Sequence, residues 1–131
     1  MFTVIAPPLD EKKLAEVGKE VLEAAQRLGF QLHAEGFARA WLEGTLVLAE
    51  RDDETKEIVG MCVMACGHRW LADDEAGNIM LLKGRNEEGL IDFAINIASA
   101  RGAGKLYVER GEPVPQDDGT LHRCVVEYQL R

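Results

Sequence analysis

Apolar residues recur at helical spacing early in the chain: Leu14, Val17, Val21, Ala24, Ala25 and Leu28 share one face of a 3.6-residue repeat. Asp10 precedes them as an N-cap and Gly29 follows as a stop, so the pattern predicts a helix. A shorter helix is expected over residues 35–43, with Phe37, Ala38, Trp41 and Leu42 inward and Gly44 closing it. Residues 2–6 form a β-prone run stopped by Pro7 and Pro8.

From Thr45 the period changes to that of strands. TLVLAE and EIVGMCVMAC are β-branched and apolar, and the polar RDDETK between them reads as a hairpin connection. HRWLADDEAG is expected as a polar loop and NIMLLK as the fourth strand, pairing back on the third. After Asn86, apolar residues cover most of a helix, leaving one polar stripe of Glu88, Asp92, Asn96 and Ser99. Gly102 and Gly104 end that helix, and KLYVE supplies a fifth strand, parallel to the fourth through a right-handed crossover. GEPVPQDDGT, with two prolines and two glycines, predicts a loop. LHRCVVEYQL closes the series as a strand with Val126, Tyr128 and Leu130 on one face. The order β-α-α-β-β-β-α-β-β defines an α/β fold, a mixed sheet flanked by helices in a single domain over residues 1–131.

Composition narrows the partners. Fifteen basic against twenty-three acidic residues give a net charge of -8, with no basic patch, which argues against nucleic acid and anionic membrane surfaces. No apolar run approaches the roughly 20 residues that span a bilayer. MFTVIAPPLDEKK lacks a basic segment followed by an apolar one, so the expected location is the cytoplasm. Cys62, Cys66 and Cys124 are an odd count. On a strand Cys62 and Cys66 would lie about 13 Å apart, too far to share one metal, so structural cysteines and no metal site are expected. Phosphate loops of the GxxxxGK[ST] kind, HExxH and GxSxG are all absent.

The chemistry then rests on residues 77–110, where a helix N-terminus adjoins a strand end, a common place for phosphate-bearing groups. Lys83 and Arg85 flank it. Glu87 and Glu88, in the first turn after the expected N-cap Asn86, stabilise the helix through its dipole and repel a diphosphate. An ordinary capped helix with nearby surface cations accounts for the same residues.

The element order resembles the GCN5-related N-acetyltransferase (GNAT) superfamily, over nearly the whole chain. The resemblance implies that the fourth and fifth strands splay apart to admit acetyl-CoA, its pantetheine arm pairing like an extra strand. Met80, Leu81 and Leu82 would then face the pantetheine, and Lys83, Gly84, Arg85, Asn86 and Gly89 would surround the pyrophosphate. RNEEGLI departs from the family loop: the glycine after Arg85 comes one position late, and Ile91 stands where a small residue belongs. A proline-rich loop also replaces a helix that active members carry after the fifth strand. The candidate bases are Glu75, His68 and Glu109, with Trp70 as a candidate pocket wall. Tyr128 and Tyr107, the only tyrosines, are candidate acids for the leaving thiolate, although no motif selects either.

Three readings remain open. One is an acyl-CoA-dependent N-acyltransferase acting on a small amine or a protein amine. Another uses no cofactor: an inactive interaction protein on the same fold, similar to compact acetyltransferase-like proteins of tailed bacteriophages that join virions or take over hosts. In that case host cytoplasm or a virion replaces the cytoplasm as its place. The third binds CoA without transferring an acyl group. The sequence sets no oligomeric state.

Overall fold

The computed structural model describes residues 1–68, 75–115 and 121–130, with the side chains of residues 67–75 and 109–125 outside the description. Among the described residues, nine elements follow the expected order: β1 (Phe2–Ile5), α1 (Glu11–Arg27), α2 (Ala34–Leu42), β2 (Leu46–Arg51), β3 (Ile58–His68), β4 (Glu75–Gly84), α3 (Glu87–Ala100), β5 (Lys105–Pro115) and β6 (Leu121–Gln129). The six strands form one sheet in the order β1-β2-β3-β4-β5-β6. Only β4 and β5 run parallel, joined over α3, and every other neighbouring pair is antiparallel.

Alternation along the strands divides the core into two layers. Ile5, Val47, Ala49, Ile58 and Met61 pack with Val21, Ala24, Ala25 and Trp41 of α1 and α2. Leu48, Cys62, Met64, Ile79, Leu106 and Val108 pack with Leu90, Ile91, Ala94 and Ala98 of α3 on the other face. Burying a side chain such as Leu48, which is fully enclosed, stabilises the fold by about 1.5–3 kcal/mol.

Local chemistry sets the helix limits. Asp10 caps α1 by accepting hydrogen bonds from the N–H groups of Lys12 and Lys13 at 2.9 and 3.2 Å, and Gly29, at φ +94°, turns the chain beyond the last turn. Arg27 then donates to the Ile58 carbonyl at 2.8 Å, tying the end of α1 to the start of β3. The N-cap of α2 is His33, whose Nδ1 accepts from Gly36 N–H at 3.1 Å. Trp41 Nε1 donates to the Ile5 carbonyl at 2.9 Å inside the core, fixing α2 against β1. The polar stripe expected on α3 is exposed, whereas Leu90, Ile91, Ala94 and Ala98 are buried.

Two loops expected from composition contain strand. In HRWLADDEAG, His68 belongs to β3 and β4 begins at Glu75, because Cys66, Gly67 and His68 pair with Gly77, Ala76 and Glu75. Residues 69–74, with Trp70, lie outside the described residues. Cross-strand pairing outweighs the low strand propensity of EAG. In GEPVPQDDGT, β5 continues to Pro115, while residues 116–120 lie outside the description. Arg110 pairs with Cys124 and Val114 with His122, so β5 bulges there; β4 no longer pairs with it, and the prolines cost no ladder bond on that side.

A second irregularity reshapes β4. Val63 pairs with Leu81 but Met64 with Ile79, leaving Met80 as the extra residue of a bulge. Ile79 is thereby placed in the α3-side core, whereas Met80 is 42% exposed. Without the bulge the alternation would exchange their faces.

Candidate functional site

The parallel ladder between β4 and β5 is short. Ala76, Gly77, Asn78 and Ile79 pair with Lys105, Leu106, Tyr107 and Val108, and no pair joins the two strands beyond them. β4 continues as Met80–Gly84 beside β3 alone, and β5 continues beside β6 alone. Past the Met80 bulge, β4 therefore offers main-chain N–H and C=O groups on an edge with no strand partner among the described residues. The expected separation of the fourth and fifth strands is present.

At the end of that edge the chain turns into α3. Asn86 caps the helix, its Oδ1 accepting from Gly89 N–H at 2.9 Å, and Glu87 and Glu88 occupy the first turn. The positive helix end thus lies beside the opening, though two carboxylates share its first turn.

The other residues expected to face the pantetheine, Leu81 and Leu82, or to surround the pyrophosphate point in different directions. Leu82 pairs with Cys62 and packs against the α3-side core, whereas Leu81 pairs with Val63 one step on. Lys83 pairs with Met61 on the α1 and α2 side, and its Nζ lies 3.0 Å from where a Cβ would stand at Gly29. Gly84 is pressed against β3, and a Cβ at Gly89 would lie 2.6 Å from both Phe2 Cζ and Asn86 Nδ2. Each glycine therefore has a packing reason to be glycine, independent of any phosphate.

Arg85 is held by acids. Its backbone N–H donates to the Val59 carbonyl at 3.2 Å, its Nη1 reaches Asp52 Oδ2 at 3.1 Å, and its Nη2 lies 3.8 Å from Glu50 Oε2. Asp52 Oδ1 also accepts from the N–H groups of Glu54 and Thr55 at 2.9 and 3.0 Å. Backbone donation from Thr55 and Glu54, followed by the Arg85 guanidinium, lowers the Asp52 pKa to about 2. Glu50 is different, for its side chain is only 10% exposed and its Oε1 is buried with no hydrogen-bond partner.

Glu50 and Asp52 escaped the sequence reading. For Glu50 the signal lies in TLVLAER: Leu46, Leu48 and Glu50 share the face that packs on α3, so a carboxylate stands where the alternation calls for an apolar residue.

The candidate bases His68 and Glu75 are Cα partners across β3 and β4, five positions before Met80 on β4 in the case of Glu75. Their side chains, like those of Glu109 and Cys124, lie outside the described residues. Tyr128 of β6 pairs with Leu106 of β5 and packs, half-buried, against the α3-side core. Tyr107 pairs with Asn78 and Glu127. Burial pushes the Cys62 thiol up to about 12. No three His, Cys, Asp or Glu side chains converge for a metal ion among the described residues.

This arrangement, an open β4 edge beside a helix N-terminus on a sheet in which, among the described residues, β4 and β5 alone run parallel, matches the fold of solved GNAT-family acetyltransferases. Over 99% of this chain and 94% of its own, the ribosomal-protein-S18-alanine N-acetyltransferase from Escherichia coli is similar, with a TM-score of 0.62 and 13% identity. An N-acetyltransferase from Staphylococcus aureus Mu50 matches 99% of this chain and 98% of its own, with a TM-score of 0.61 and 11% identity. The aminoglycoside acetyltransferase HMB0005, from an uncultured soil metagenomic sample, has a TM-score of 0.57 and 18% identity over 90% of this chain and 82% of its own. At such identities the likeness is one of fold. No protein-family model and no curated protein matches the chain. Among the described residues, no helix is long and apolar enough to cross a membrane.

Proposed function

We propose that the protein is an acyl-CoA-dependent N-acyltransferase, with acetyl-CoA as donor and a small amine or protein amine as acceptor. The observation that carries this reading is the parting of β4 and β5 beyond Ile79 and Val108, on a fold shared with acetyltransferases. An amide-bearing pantetheine arm complements the open edge of residues 80–84 by strand-like hydrogen bonds. The N-terminal end of α3 and Arg85 would attract its phosphates, and the α3 carboxylates weaken that attraction.

In this reading the acceptor nitrogen attacks the thioester carbonyl, a C–N bond forms, the C–S bond breaks, and the thiolate takes up a proton. Backbone N–H groups near Leu81 or Leu82 would stabilise the oxyanion. Glu75 or His68 would accept the proton of the amine, and Tyr128 would protonate the thiolate. Calorimetry with acetyl-CoA, followed by an amine panel scored by release of CoA thiol, tests the proposal. Absence of binding up to millimolar acetyl-CoA overturns it, and binding without turnover reduces it to a CoA-binding protein.

A second reading, an interaction protein without a cofactor, is favoured by one specific arrangement. Arg85 is committed to Asp52 and Glu50, while Glu87 and Glu88 occupy the turn that a diphosphate would approach. A protein partner captured by a form that binds no acetyl-CoA would support this alternative.

A further inference from the structure

We infer that Asp52 and Glu50 gate the donor site: they hold the Arg85 guanidinium at the β2–β3 hairpin, and a phosphate of the incoming acyl donor must take it from them. This rests on the acyl-CoA reading above and adds a self-inhibitory contact to it.

The geometry separates what is fixed from what is free. The main chain of Arg85 is pinned to Val59, one residue before the cap of α3, so its guanidinium starts beside the helix end. Its side chain is 56% exposed, so much of it faces solvent and not packed atoms. Held at the hairpin, the guanidinium adds its charge to carboxylates and not to the helix end. Glu50 and Asp52 then lie beside Arg85, and Glu87 and Glu88 occupy the first turn that follows.

Release affects the two carboxylates unequally. Asp52 keeps its bonds from Glu54 and Thr55. Glu50 does not have that insurance, because Oε1 is already without a partner and Arg85 is the cation facing Oε2. A buried carboxylate that loses its counter-ion is destabilised. The restoring force that returns Arg85 to the hairpin therefore comes mainly from Glu50, with Asp52 setting the direction of the guanidinium.

Acetyl-CoA affinities by calorimetry for the parent protein, Asp52→Asn, Glu50→Gln, Arg85→Gln and each double variant with Arg85→Gln test the gate. An exposed charge pair contributes modestly, so Asp52→Asn should tighten binding by about two- to fivefold, and Glu50→Gln by at least as much. Neither should change affinity in the Arg85→Gln background. A purely structural role would lower the unfolding midpoint of Asp52→Asn without tightening binding. Unchanged affinity in both single variants, or equal tightening with Arg85 replaced, overturns the gate and leaves the donor reading intact. No binding by any variant at millimolar acetyl-CoA overturns both. Asp52 lies at the hairpin and its asparagine keeps the backbone acceptor, so that arm stands even where Glu50→Gln does not fold.

Discussion

Gly84 and Gly60 meet across β3 and β4 with no room for a methyl group between them: a Cβ on Gly84 would lie 2.4 Å from Gly60 Cα and 3.1 Å from the Val59 carbonyl oxygen. Both obstacles are backbone, so neither moves aside cheaply. A residue that the family resemblance assigns to a phosphate is thus required by the sheet itself. Gly84→Ala should destabilise the protein by about 1–3 kcal/mol, read as a lower urea midpoint, through overpacking. An unchanged midpoint would show that β3 and β4 can separate there without cost.

Trp41 offers a cleaner test of how α2 is attached. Its indole N–H satisfies the Ile5 carbonyl at 2.9 Å in a buried setting. Trp41→Phe keeps an aromatic ring but strands that acceptor, and should cost about 1–3 kcal/mol. Urea unfolding measures it, and a loss under about 0.5 kcal/mol would mean that water replaces the indole.

The thiols should differ in reactivity. Cys62 is fully buried with its pKa near 12, so at pH 8 it carries almost no thiolate, whereas Cys66 is only partly enclosed. Iodoacetamide applied to the native protein and read by peptide mass spectrometry should leave Cys62 unmodified. Urea should expose it. Rapid labelling of Cys62 in the native state would contradict the core described above.

Asp52 fixes an acid-side feature of stability. Its pKa falls from 3.8 to about 2 on folding, so its contribution is fully present above pH 4 and is lost as pH drops through 2. Stability of the parent should therefore fall over that window partly through this group. Asp52→Asn should show a shallower fall between pH 4 and pH 2 in urea midpoints, and an identical profile would remove Asp52 from the account.

Much of this architecture is legible in residue patterns. Asp10, Gly29 and Asn86 mark helix ends by chemistry that acts within a few residues, and the spacing of Leu14 to Leu28 sets the buried face of α1. Pairing across strands is where sequence patterns lose reach. Glu75, Ala76 and Gly77 are strand because Cys66, Gly67 and His68 face them, and Pro113 and Pro115 are tolerated because β4 has already parted from β5. The Met80 bulge likewise depends on register between strands some fifteen residues apart, not on NIMLLK alone. At the site, Arg85 is bound by Asp52 and Glu50, which lie more than thirty residues earlier in the chain and so outside any local pattern.

The sheet's spatial order is the same as its order along the chain, and this bears on how the protein folds. Three of its five ladders, β2 with β3, β3 with β4 and β5 with β6, join segments separated by only six, six and five residues along the chain. They can close early at small entropic cost. β4 and β5 are separated by α3, and β1 and β2 by α1 and α2, so these two ladders close longer loops. The short β1 ladder, closing the longest loop with four residues, is therefore the last step expected in assembly and the first to open.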